Sequence, residues 1–132
     1  MADSARERAL VKLRTPAEVR YKFLCKTRQD PEQEDIYEGT TQSLSAQGCL
    51  LSGRIPRLDW LSDLLTQKML LGINLLLPSE PEPIKALGEV GWIEKVDEAT
   101  GRCLLGVSFR DIQPNDRNRI FAFQVKAQLP SG

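Results

Sequence analysis

The chain contains no histidine. That removes the commonest general base and the commonest metal ligand. It also rules out Ser–His and Cys–His nucleophile pairs within the chain. Three cysteines, Cys25, Cys49 and Cys103, lie far apart and show no CxxC or metal-type spacing. Each falls in an apolar, strand-like segment, which reads as reduced core thiols in a cytosolic protein. No glycine-rich phosphate loop of either familiar spacing occurs. Carboxylates are plentiful, but they sit in hydrophilic loops at 30–35 and 80–82, with nothing to pair them in an apolar setting that would split their pKa values. No catalytic residue and no metal ligand set is expected, and an enzyme is the weakest class of reading. No apolar run approaches the ~20 residues that a transmembrane helix needs. Residues 1–8 lack the apolar core of a secretory signal. The expectation is a cytoplasmic protein without membrane insertion.

Net charge is zero over 132 residues, but it is unevenly spread. Up to residue 28 there are eight bases (Arg6, Arg8, Lys12, Arg14, Arg20, Lys22, Lys26, Arg28) against three acids (Asp3, Glu7, Glu18), so this end carries +5 and the remainder −5. Such asymmetry points to an anionic ligand at the N-terminal end, or to a solvated basic tail. It is too weak for a DNA or RNA duplex binder, which usually shows a basic face over the whole domain. The hydrophobic and charged fractions, 41% and 27%, are those of one soluble globular domain.

Residues 1–18 are polar and basic and read as a mobile arm, in part helical, that Pro16 separates from the rest. From Val19 the alternation Val19, Tyr21, Phe23, Cys25 against Arg20, Lys22, Leu24, Lys26 marks a half-buried strand. An exposed loop with Pro31 follows. Residues 36–44 and 48–52 are the next two strands. A short helix is expected over 59–67, with Leu58, Leu61, Leu64 and Leu65 near one face and Trp60 off it, as core cover or as a contact surface. Strands at 69–77, 84–96 and 102–109 come next, with Gly88 and Gly91 placed for bulges and Cys103, Leu105, Val107 and Phe109 sharing a face. A helix opens at Pro114 and Asp116 and ends near Gln128, with a stripe of Ile120, Phe121, Gln124 and Val125 that Phe123 extends. Sequential short strands with turn signals imply a mainly β fold over 19–129, a six-stranded antiparallel sheet or β-barrel with a short helical insertion and a C-terminal helix.

The stretch from Thr40 to Leu51 joins two strands through Ser43, Ser45 and Gly48. Gly48 can take a positive φ. Ser43 and Ser45, two apart, project to one face of an extended chain. Two readings fit: a binding platform for a polar ligand, or a hairpin corner held by serine–backbone hydrogen bonds.

These residues, in this order, resemble the PilZ domain. The second half carries the fold resemblance, in Gly72-Ile73-Asn74-Leu75-Leu76-Leu77-Pro78, Gly88-Glu89-Val90-Gly91-Trp92-Ile93, Gly106-Val107-Ser108-Phe109-Arg110-Asp111-Ile112 and Arg117-Asn118-Arg119-Ile120-Phe121-Ala122-Phe123. In that family RxxxR and DxSxxG bind cyclic di-GMP. Arg8-Ala9-Leu10-Val11-Lys12 stands where RxxxR is expected, and Ser43-Leu44-Ser45-Ala46-Gln47-Gly48 stands for DxSxxG. The resemblance thus implies a cyclic di-GMP receptor that signals to an effector protein, with Arg8, Lys12, Ser43, Ser45 and Gly48 as ligand residues. The alternative it implies is an adaptor that no longer binds the nucleotide. Lys12 replaces an arginine fork that reads guanine O6 and N7 together, and supplies only a point charge. Ser43 replaces a carboxylate. Each lost charge-assisted hydrogen bond is worth about 1.5–3 kcal/mol, so both together weaken affinity by roughly two to four orders of magnitude.

Overall fold

The computed structural model describes residues 10–27, 29–78 and 80–128. Six strands, β1 (Val11–Cys25), β2 (Tyr37–Ser45), β3 (Gly48–Arg54), β4 (Met69–Leu76), β5 (Ile84–Val96) and β6 (Arg102–Ile112), close a barrel in the order β1-β2-β3-β6-β5-β4. Every neighbouring pair is antiparallel. Two helices accompany the barrel, α1 (Trp60–Leu65) and α2 (Pro114–Gln128), and a 3-10 turn spans Pro31–Glu34. The expected mainly β barrel with a short helix and a C-terminal helix is the observed fold.

Inward side chains follow the period of two. Val19, Tyr21 and Phe23 on β1, Met69, Leu71, Ile73 and Leu75 on β4, and Cys103, Leu105, Val107 and Phe109 on β6 are all buried. One end of the barrel is closed by an aromatic cluster. Phe23 packs on Trp60 with ring centroids 5.0 Å apart and on Tyr37 at 5.4 Å. Trp60 is fully buried, and its indole N–H donates to Asp30 Oδ2 at 3.1 Å. Of the two roles open to Trp60 the structure selects core cover and excludes a contact surface. Asp30 also meets Arg57 at 3.3 Å, which ties the loop after β1 to the start of α1. Leu13, Ala46, Leu77, Ile84 and Ile120 are buried with the strands they adjoin.

Several sequence expectations are corrected. The first strand begins at Val11, so residues 11–18 belong to the barrel wall and are not a partly helical arm. The period of two hides this because the β1–β2 register shifts between Lys12 and Ala17. Pro16 lies in that interruption, where a missing N–H costs no ladder bond. Residues 1–9, the rest of the expected arm, lie outside the described residues. Helix α1 is shorter than 59–67 because Gln67 takes φ 61°, the left-handed conformation that stops a helix. On α2 only Ile120 is fully buried and Phe123 packs partly on the core, while Phe121 and Val125 face outward, so the apolar stripe is narrower than its sequence suggests. Gly88 and Gly91 do lie at bulges, where the β5–β6 register shifts between Leu87 and Gly88 and between Val90 and Trp92. None of the three cysteines is in a disulfide among the described residues; Cys49 and Cys103 are buried, and Cys25 is half-buried.

Candidate functional site

The β1–β2 ladder places Lys12 directly opposite Ser43. The two positions that depart from the RxxxR and DxSxxG patterns are therefore cross-strand neighbours. Ser43 in turn pairs with Leu50 on β3, Leu50 with Gly106 on β6, and Gly106 with Trp92 on β5. Paired residues project to the same face of a sheet, so Lys12, Ser43, Leu50 and Trp92 form one transverse row on the outer wall. Neighbouring strands lie about 4.8 Å apart, so Ser43 and Gly106 are separated by roughly 10 Å.

Lys12 is exposed and Ser43 partly so. Among the described residues the Ser43 hydroxyl makes no hydrogen bond, and it is open to a ligand. Beneath it, the buried Thr41 hydroxyl donates to Ser43 O at 2.9 Å and fixes the strand locally. Thr41 also hydrogen-bonds Cys49, whose thiol is nonetheless pushed up to about 12 by burial. At the far end of the row the Trp92 indole lies over Gly106, where a Cβ would collide with Cε2, Cδ2 and Cζ2 of the ring. The Trp92 N–H donates to Glu94 Oε1 at 3.0 Å, which holds the ring in place. The row thus offers a cation, a free hydroxyl and a fixed aromatic surface.

The other motif residues are placed differently. Ser45 is 3% exposed, and its hydroxyl accepts the Gln47 N–H at 3.1 Å. It serves the β2–β3 turn. Gly48 does not take a positive φ; among the described glycines only Gly101 does. Gly48 is glycine because β6 passes close by. A Cβ there would land on Val107 O and lie 3.1 Å from Ser108 Cα. The Phe109 N–H donates to Gln47 O at 2.7 Å in the same contact. Arg8 lies outside the described residues. Sequence reading placed Trp92 on a strand but gave it no part in the site. The signal was a glycine, Gly106, in the middle of an otherwise bulky strand, and only the register shows what fills that space. No group of three or more potential metal ligands occurs among the described residues, nor does any helix there that is long and apolar enough to cross a membrane.

A closed six-stranded antiparallel barrel with a C-terminal helix, and a polar row ending in one aromatic ring on its outer wall, defines a small β-barrel domain. The chain matches the PilZ domain over residues 5–124 and belongs to that family, whose members are typically non-catalytic cyclic di-GMP receptors. It is similar in fold to Bacillus subtilis MotI/DgrA, an inhibitor of motility, at TM-score 0.63 and 17% identity, covering 93% of this chain and 51% of that one. It is likewise similar to MrkH of K. pneumonia, at TM-score 0.64 and 18% identity, covering 92% of this chain and 48% of that one. The chain thus spans about half the length of these structures. Among curated proteins nothing matches the chain.

Proposed function

We propose that the chain is a cytoplasmic cyclic di-GMP receptor of reduced affinity that passes the level of the messenger to an effector protein. The observation that supports this most directly is the outer-wall row itself. Lys12 and Ser43 face each other across β1 and β2, so the arm and strand motifs meet at one place despite their distance in sequence. Guanine and phosphate find complementary groups there. Lys12 can meet a phosphate as a point charge, Ser43 can donate to or accept from a base edge, and the Trp92 face can stack a purine, which is worth about 1–3 kcal/mol per base. Arg8 would supply the one guanidinium fork of the motif.

One observation favours the second reading, an adaptor that no longer binds the nucleotide. Ser45 and Gly48, the two residues that the DxSxxG pattern retains, each have a fold-based reason to be there: a turn hydrogen bond and a close strand approach. Their presence therefore needs no ligand. Calorimetric titration with cyclic di-GMP separates the two readings. For the receptor, Lys12→Arg and Ser43→Asp each tighten binding by about 1 kcal/mol or more, Trp92→Ala weakens it, and Arg8→Ala abolishes it. If the wild type and the Lys12→Arg/Ser43→Asp double variant both fail to bind at millimolar nucleotide, the receptor reading falls and the adaptor reading replaces it.

A further inference from the structure

The barrel has a second feature on its exterior, on the side away from the Lys12–Trp92 row. That row is centred on β2, β3 and β6, and β4 lies across the closed barrel from them. On this other side, Lys22 of β1 pairs with Gly72 of β4, Gly72 with Leu87 of β5, and Leu87 with Asp111 of β6. Gly72 brings no side chain, so the middle of the face is bare. The atom nearest to where a Cβ would stand is Leu24 Cδ1, at 3.4 Å. Next to this position, between its neighbours Lys22, Leu24, Leu70 and Leu87, lies an open cleft of about 950 Å³. Leu24, Leu70 and Leu87 give it apolar walls, and Leu24 is 41% exposed.

The rim of this cleft is basic. Lys22, Lys26, Lys68 and Arg110 line it, against Glu34 and Asp111. Glu34 is already engaged, 3.8 Å from Lys22. Among the described residues, Lys26, Lys68 and Arg110 form no ion pair. A local excess of positive charge thus surrounds exposed leucine in a chain whose net charge is zero. The rim is also held in place. Gln67, beside Lys68, keeps its left-handed backbone while its side-chain amide donates to Leu65 O at 2.9 Å and to Val90 O at 3.0 Å.

We propose that this cleft docks an acidic amphipathic segment of a partner protein, with apolar side chains on Leu24, Leu70 and Leu87 and carboxylates on Lys26, Lys68 and Arg110. It rests on the preceding reading only in that a receptor of this kind needs an effector. Charge complementarity selects the occupant. An apolar floor ringed by cations is satisfied by leucines on one face of a segment and acids on the other. A flat anionic bilayer meets the cations but leaves a recessed floor empty. The nucleotide row and the cleft share no residue, Lys12, Ser43 and Trp92 being absent from the cleft lining, so messenger and partner can be held at the same time.

The test is a titration of the isotope-labelled full chain, followed by amide chemical shifts. The probe is a synthetic glutamate-rich helical peptide with leucines at i, i+3, i+4 and i+7, compared with a peptide of the same composition but scrambled leucines. The proposal expects the patterned peptide to move the amides around Leu24, Lys68, Leu87 and Arg110. Leu24→Glu and Lys68→Glu should each weaken it about tenfold or more. Equal binding of the scrambled peptide, or no shifts at millimolar peptide, overturns the proposal. So does preferential binding to vesicles of phosphatidylcholine with phosphatidylglycerol that the same two substitutions abolish. Cyclic di-GMP titration of the same samples keeps the two readings apart. Nucleotide binding without peptide binding overturns the cleft alone, and peptide binding without nucleotide binding overturns the receptor alone.

Discussion

Gly48 and Gly106 show how one residue can answer to fold and site together. At Gly48 the constraint is backbone, since Val107 O occupies the space where a methyl would go. Strand β6 cannot yield there without disturbing the Phe109–Gln47 hydrogen bond. Gly48→Ala should therefore cost about 1–3 kcal/mol of stability through overpacking, seen as a lower urea midpoint in the absence of any ligand. An unchanged midpoint would return Gly48 to a purely ligand-binding role. At Gly106 the obstruction is a side chain, the Trp92 indole, which can swing away. Gly106→Ala should leave the barrel folded but displace the ring, changing Trp92 fluorescence and weakening cyclic di-GMP. Trp60, fully buried, should keep its emission and serve as the internal reference. An unaltered spectrum would mean that the indole does not depend on Gly106. The same reasoning separates Ser43, whose hydroxyl is open, from Ser45, whose hydroxyl already accepts from Gln47.

At the scale of elements, α1 and the turn after it hold one edge of the cleft. Gln67 sits in a backbone conformation that costs a non-glycine residue about 1 kcal/mol, and its two side-chain hydrogen bonds offset that cost by tying the turn to β5. Gln67→Ala keeps the strain and loses both bonds, so it should destabilise by about 1–2 kcal/mol; Gln67→Gly relieves the strain and should fall between it and the wild type. Denaturant midpoints of the three proteins check the order, and a Gly variant below the Ala variant would refute it. The element also shows where sequence reading stops. Leu64 and Trp60 could be assigned to a short helix, but the stop at Gln67 carries no glycine or proline to announce it. Strand β1 was legible from Val19 to Cys25, where alternation is regular. It was illegible from Val11 to Glu18, because the pairing with β2 slips between Lys12 and Ala17 and scrambles the period. The candidate row was half legible. Motif spacing points to Lys12 and Ser43, but Leu50 and Trp92 join them only through register, and that register depends on irregular pairing between Thr40 and Ser43 and between Val90 and Trp92.

Closure of the sheet gives each strand a hydrogen-bonded neighbour on both sides and places several ionisable groups in its interior. Tyr21, 2% exposed, donates its hydroxyl to Arg54 O at 2.6 Å, and burial pushes its pKa up to about 12 from 10.0. Burial likewise pushes the Cys49 thiol up to about 12 from 9.0, and it raises Cys103 and Tyr37. Each of these groups is neutral in the folded barrel and gives up its proton more readily once unfolded. Above the ordinary thiol and phenol values the folded state therefore binds more protons than the unfolded one, and stability must fall as pH rises. For Cys49 the loss starts near pH 9 and continues toward pH 12; for Tyr21 it starts near pH 10 and ends in the same region. Each group contributes a slope of about 1.4 kcal/mol per pH unit within its window. Urea unfolding at intervals from pH 8 to pH 11 should show a flat stretch that bends downward at the thiol first and steepens at the phenol. Cys49→Ala lowers the curve as a whole, because it removes packed volume, but it should make the first bend shallower, leaving only the part that Cys103 contributes, and leave the second. A Cys49→Ala curve parallel to the wild type between these two onsets would mean that the thiol is not held neutral by the barrel and that its burial is relieved by local opening.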